Sequence, residues 1–317
     1  MARRLAAVVV AAMVAAGCDA DPGYQGRSSR EWIAQLADTA AAGRADAAYA
    51  LGRSLALQPN APAVVDALVG ALADTSDAVR VAAAAALSNA GRRASAAAPG
   101  VARLLADSAH PHVRRQAVVV LRALGSASAG ASVPALTPVL RDPDPEVRRA
   151  AAEALGSLGA AAVAATPGLA ALTTDPNPDV RLRALEAVGR VAPGSEAAAP
   201  LARALSDPVP AVRAAAAGAI GHLRDRAAPA VPALITAMRD SAPHVRAAAA
   251  VALGLTDPVR GEAALRAARR DPDPLVRREA EHALSAVHQR GGQDEAPSEP
   301  TADERCPPGA GRTRAGC

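Results

Sequence analysis

The stretch RDPDPEVRRAAAEALGSLG, Arg141–Gly159, decides the fold. It sets two Asp-Pro steps, an Arg pair and an alanine-rich run in one short segment, and near-copies of it recur along most of the chain. Aligned on Val147, the same frame returns at Gly43, Val79, Val113, Val180, Val212, Val245 and Val276, at spacings of 36, 34, 34, 33, 32, 33 and 31 residues. A fixed period in this range is the signature of a helical solenoid.

Each copy has the same internal grammar. The residue after the frame position is Arg44, Arg80, Arg114, Arg148, Arg181, Arg213, Arg246 or Arg277. Five residues before it stands Asp38, Asp74, Asp142, Asp175, Asp207, Asp240 or Asp271, and in the Val113 unit Asp107 is displaced by one inserted residue. Apolar pairs four apart, such as Leu68 and Leu72 or Leu136 and Leu140, mark a first helix; the frame valine with Leu87, Leu121 or Leu155 eight beyond it marks a second. Pro99, Pro134, Pro167, Pro200 and Pro232 fall at the start of the first helix, where a missing N–H costs nothing. Pro145, Pro178, Pro210 and Pro274 open the second, with Asp144 and Asp273 as N-caps. Trp32 and Leu36 take the first-helix places of the Gly43 unit, so the repeats begin near Ser29.

Composition agrees with an all-α chain. Of 317 residues 90 are alanine, the strongest helix former, and none is phenylalanine. Small side chains fill little space, so helices built from them must pack closely. The formal charge of +4 includes Arg3 and Arg4; without them 33 arginines face 31 acids. That balance gives no nucleic-acid or anionic-membrane signal.

Residues 1–17, MARRLAAVVVAAMVAAG, have a basic start, an apolar run and then small residues, the layout of a secretory signal peptide. With Cys18 the segment resembles a bacterial lipobox, departing from it at Ala15, where leucine is commoner. The resemblance implies a lipidated Cys18; an ordinary signal peptide and an uncleaved anchor are the alternatives, and all three export the chain. Residues 18–28 are expected to form a polar tether and 289–317 a disordered Pro- and Gly-rich tail carrying Cys306 and Cys317, which can pair or stay free.

The repeats resemble HEAT-like repeats of the short phycobilisome-lyase type, over about Ser29 to His288. The resemblance implies a right-handed α-α superhelix of about eight two-helix units. It also implies a structural ladder made by Asp142, Arg148, Asp175, Arg181, Asp207, Arg213, Asp240, Arg246, Asp271 and Arg277. Equivalent residues in adjacent layers lie about 10 Å apart, within joint reach of Arg and Asp side chains.

Chemistry is poorly represented. His112 and His244 share a frame position four units apart, about 40 Å at about 10 Å per layer, and His110 with His112 lacks a nearby third ligand. Deoxyhypusine hydroxylase, an iron enzyme of the HEAT-like class, uses repeated His-Glu pairs, whereas this chain has only Glu281-His282 in the reverse order. HEAT-like DNA glycosylases use basic and aromatic surfaces; near-neutral charge and the lone Trp32 argue against that role here. No phosphate loop, nucleophile elbow or Cys-His pair occurs inside the repeats. No catalytic residue, metal or cofactor is expected.

Positions two, six and ten past the frame share one stripe of each second helix. They supply candidate partner-binding residues Tyr49, Arg115, Arg149, Glu153, Ser157, Glu186, Arg190, His222 and His282. The expected function is a non-catalytic, lipid-anchored scaffold on the periplasmic side of the bacterial envelope that binds another envelope protein or peptide and no nucleic acid. An enzyme or enzyme subunit resembling the HEAT-like bilin lyases is the alternative, and a merely solvated face remains a plain explanation of the stripe.

Overall fold

The computed structural model describes residues 24–57, 61–192 and 194–294. The signal segment, Cys18, the first part of the tether and the tail with Cys306 and Cys317 lie outside the described residues. The described residues form sixteen α-helices in eight consecutive pairs. The first four pairs are α1 (Ser29–Gln35) with α2 (Ala41–Leu57), α3 (Pro62–Ala71) with α4 (Asp77–Ala90), α5 (Ala98–Asp107) with α6 (Pro111–Leu124), and α7 (Ala129–Val139) with α8 (Pro145–Leu158). The last four are α9 (Thr166–Leu172) with α10 (Pro178–Val191), α11 (Ala198–Ala204) with α12 (Pro210–Leu223), α13 (Val231–Ala237) with α14 (Pro243–Thr256), and α15 (Pro258–Ala268) with α16 (Pro274–Asp294). Together they make an all-α superhelix of repeats.

Local chemistry sets the helix ends. Proline at the first turn of α6, α8, α10, α12 and α14 supplies a helical φ without wasting a donor. The Asp144 carboxylate accepts from the Glu146 N–H at 2.7 Å, Asp273 from the Leu275 N–H at 2.8 Å, and Asn177 does the same work from the Asp179 N–H at 2.8 Å. Three expectations change. Pro134 sits inside α7 rather than at its start, because helical geometry in this unit begins five residues earlier, at Ala129. Helix α16 continues past His288 to Asp294, since no proline interrupts it before Pro297. Tyr24–Ser28 is part of the fold rather than free tether: Tyr24 and Arg27 close a tight turn with positive φ at Gln25 (54°) and Gly26 (75°), and the Ser28 side chain caps α1 in a reciprocal box with Glu31.

The second helices stack directly on one another, while the first helices pack on their partners and on the 3-10 segment that enters the next unit. One small-residue contact sets the layer spacing. A Cβ on Gly189 would lie 2.9 Å from the Ala219 Cα, and one on Gly156 would lie 3.0 Å from the Ala187 Cα. Gly52 meets Ala86 and Gly254 meets Ala283 in the same register. The glycine nine past the frame thus rests on the alanine seven past the frame of the next unit. In α4 and α6 the glycine position holds Ser88 and Arg122, and there the α4–α6 and α6–α8 pairs pack less closely than the others. The Ser88 Oγ is buried at this junction without a hydrogen-bond partner.

A ladder of bidentate ion pairs runs along the turns. Arg148 donates through Nε and Nη2 to Asp175 of the next unit at 2.8 and 3.0 Å, and through Nη1 to the carbonyls of Asp142 and Pro143 in its own turn at 2.8 and 3.1 Å. Arg44–Asp74, Arg114–Asp142, Arg181–Asp207, Arg213–Asp240 and Arg246–Asp271 repeat the two-point geometry. Each Asp also holds its own turn, as Asp142 Oδ1 does by accepting the Asp144 N–H at 2.9 Å. Arg277 donates to the Asp271 and Pro272 carbonyls at 2.7 and 2.9 Å. Burial pushes the Asp142 carboxyl up, but the Arg114 guanidinium and the Asp144 N–H more than reverse this and hold it below the usual carboxylate range. Asp207 is lowered by the same balance, while at Asp74, Asp240 and Asp271 the arginine is the leading cause.

The third unit differs at the ladder position. In the third unit Ser108 stands five residues before the frame position. The Ser108 Oγ accepts the His110 N–H at 3.2 Å and its carbonyl accepts Arg114 Nη1 at 3.2 Å, as the ladder Asp residues do in their turns. The buried Arg80 donates to the Asp74 and Thr75 carbonyls of its own turn and pairs with Asp77 in its own helix. Ser108 at the ladder position and the looser α4–α6 packing coincide.

Three outcomes are expected in unfolding experiments. Gly189→Ala lowers stability by about 1–3 kcal/mol through overpacking, whereas Gly218→Ala, whose new Cβ meets nothing within 4 Å, raises it by about 0.5–1 kcal/mol; urea denaturation followed by circular dichroism separates them. Ser108→Asp restores the carboxylate that the other units carry at this position and raises the urea midpoint, with a gain on the order of 1 kcal/mol. The carboxyls of Asp74, Asp142, Asp207, Asp240 and Asp271 are depressed when folded, so their contribution is complete above the unfolded value of about 3.9 and is lost as pH falls through the folded one. Thermal midpoints should hold above about pH 5 and fall below about pH 4, and Asp142→Asn should make that fall shallower.

Candidate functional site

The second-helix stripe is a continuous face whose residues differ in how free they are. Arg115, Ser157, Arg190, His222 and His282 are exposed, while Arg149, Glu153 and Glu186 are half-buried. The charges in the middle of the stack are largely paired with one another. Arg149 Nη2 donates to Glu146 at 2.7 Å and its Nη1 lies 3.9 Å from Glu153, which also pairs with Arg122 of the preceding unit. Glu186 accepts from Arg183 at 2.9 Å, and the Ser157 hydroxyl donates to the Ala154 carbonyl at 2.7 Å. The Glu146 carboxylate raises Arg149 above the ordinary guanidinium value, so it stays cationic. Exposed pairs of this kind stabilise by only about 0–1 kcal/mol, so their main effect is to neutralise the face around α8 and α10.

The histidines do not converge with other ligands. The rings of His110 and His112 stack at 5.5 Å with an interplanar angle of 19°, both exposed. Among the described residues no three His, Cys, Asp or Glu side chains group in a way that could hold a metal ion.

The N-terminal end of the face is different. Tyr24, Trp32 and Tyr49 are the only aromatic residues of the chain, and all three sit in the first unit. Buried Trp32 donates its Nε1–H to the Tyr24 carbonyl at 3.1 Å, and the Arg27 guanidinium lies 4.0 Å from its ring centroid. Tyr24 meets Tyr49 edge to face, with centroids 6.2 Å apart. Tyr49 remains 58% exposed, because its outer side forms the wall of a groove between α2 and α4. The groove encloses about 200 Å³; its floor is Gly52, Ala82 and Ala86, and Arg53, Asn89 and Arg93 stand around it. Arg53 and Asn89 lie on the stripe ten past the frame and are recognisable by spacing. Arg93 lies in the 3-10 segment Gly91–Ala97, outside any helical period, so no stripe could locate it.

The HEAT repeats family matches residues 98–166, 166–230 and 198–285. No curated protein matches the sequence. Among solved structures, a crystal structure of a Kap121p mutant is similar with a TM-score of 0.60 and 15% identity, over 84% of this chain and 34% of that one. The chain thus spans about a third of that protein's length, and the likeness is one of fold. Human deoxyhypusine hydroxylase in complex with glycerol aligns over 82% of this chain and 96% of its own at 25% identity, with a TM-score of 0.36. The family matches together run from residue 98 to 285, more than half of the chain, over the same stacked helix pairs that carry the Arg–Asp ladder: the chain belongs to the HEAT repeat family.

Proposed function

We propose that this HEAT repeat protein is a non-catalytic scaffold that binds a protein or peptide partner along its second-helix face. The observation that carries the proposal is the combination of rigidity and surface. The bidentate rungs between units fix the face, and on it Tyr49, Val81, Val251 and Leu255 stay exposed although buried positions dominate the same helices. Apolar side chains held open on a stiff frame suit protein contact better than chemistry, which needs converging titratable groups.

The proposal extends to location. The basic start, apolar run and VAAGC segment of residues 1–18 support export and acylation of Cys18, and with them a scaffold on the periplasmic side of the bacterial envelope that meets another envelope protein. The short period and the recurring Asp, Val-Arg and Ala-Leu-Gly grammar support the phycobilisome-lyase type of repeat. Two measurements test this. Labelled palmitate should enter the wild-type chain and not Cys18→Ser; label in the variant removes the lipoprotein assignment. Proximity labelling from the anchored chain should recover an envelope protein above a control lacking residues 1–17, and recovery of none removes the scaffold assignment.

A further inference from the structure

We infer that the groove between α2 and α4 is a docking site for an acidic, extended segment of a partner protein. The inference rests on the scaffold assignment above and gives that scaffold a contact point and a ligand chemistry. None of the residues lining the groove is acidic, while two of them, Arg53 and Arg93, are exposed and make no ion pair among the described residues. This contrasts with the face over α8 and α10, where arginines and glutamates neutralise each other. The floor is methyl groups and a glycine, because Gly52 brings α2 onto Ala86 in the tight layer contact. At about 200 Å³ the groove is smaller than the about 300–1,000 Å³ typical of small-molecule sites. It suits a run of side chains lying between two parallel helices.

The occupant follows from these features. Guanidinium groups bind carboxylates at two points, so the partner segment presents Asp or Glu toward Arg53 and Arg93. Its apolar side chains lie on the alanine floor against the Tyr49 ring, which its contact with Tyr24 holds upright. Both arginines flank a recessed floor that a single extended chain enters and a flat bilayer surface does not.

The probe is a fluorescein-labelled dodecapeptide of alternating Glu and Leu, titrated by anisotropy against the purified chain, with a Lys and Leu peptide as the charge-reversed control. The Glu peptide should bind, weaken as salt rises, and lose at least tenfold in affinity with Arg53→Glu plus Arg93→Glu, while the control gains. Unchanged circular dichroism and melting temperature of the variant show that the fold is kept. Equal binding of the two peptides, or no loss in the variant, overturns the inference. So does binding of the chain to phosphatidylglycerol vesicles that the same substitutions abolish when the Glu peptide does not bind. Proximity labelling by the double variant separates this inference from the scaffold assignment: a partner still recovered at the wild-type level leaves the scaffold standing and removes the groove.

Discussion

The structure depends on one guanidinium contact made again and again. A ladder arginine uses one edge of its donor fork on the carboxylate of the next unit and its remaining Nη1 on two carbonyls of its own turn. Those carbonyls lie just past the end of the first helix, where backbone acceptors have no helical partner. A single side chain therefore closes its own turn and fixes the next one. The aspartate mirrors this by binding the arginine and capping a backbone N–H at once. With so few large side chains to bury, the chain relies on this polar seam to orient layers that alanine and glycine bring close.

The Gly–Ala contact and the ladder act on different edges of the same layer. The first sets how near adjacent second helices approach; the second sets how they are rotated and where their turns sit. The glycine contact lapses on both sides of α6, where Ser88 and Arg122 take the glycine position, and Ser108 stands where the neighbouring units carry the ladder aspartate. The buried Ser88 hydroxyl, without a hydrogen-bond partner among the described residues, shows the local cost of that lapse.

Much of this architecture was legible in the sequence, for identifiable reasons. A period of 31 to 36 residues with invariant Arg and near-invariant Asp positions announces two-helix layers, and apolar residues four apart separate first helices from second. The helix caps at Asp144 and Asp273 follow from spacing alone. What spacing could not give is anything that depends on two units at once. The Glu153 bridge to Arg122, the contact of Gly189 with Ala219 and the groove between α2 and α4 each need the actual offset between layers. Tyr24–Ser28 read as tether because its order comes from two positive φ values and a tryptophan eight residues away from Tyr24. Neither leaves a periodic mark.

In a linear stack each layer touches only its neighbours, so mechanical load passes through every interface in series. Springs in series stretch most at the softest, and the α4–α6 and α6–α8 junctions lack the close glycine contact. Tension or bending applied at the two ends is thus absorbed mainly around α6, leaving the first two units and the last five as comparatively stiff segments. The aromatic cap and the groove belong to the short segment, so the chain can turn that end through an angle without disturbing the geometry of either surface.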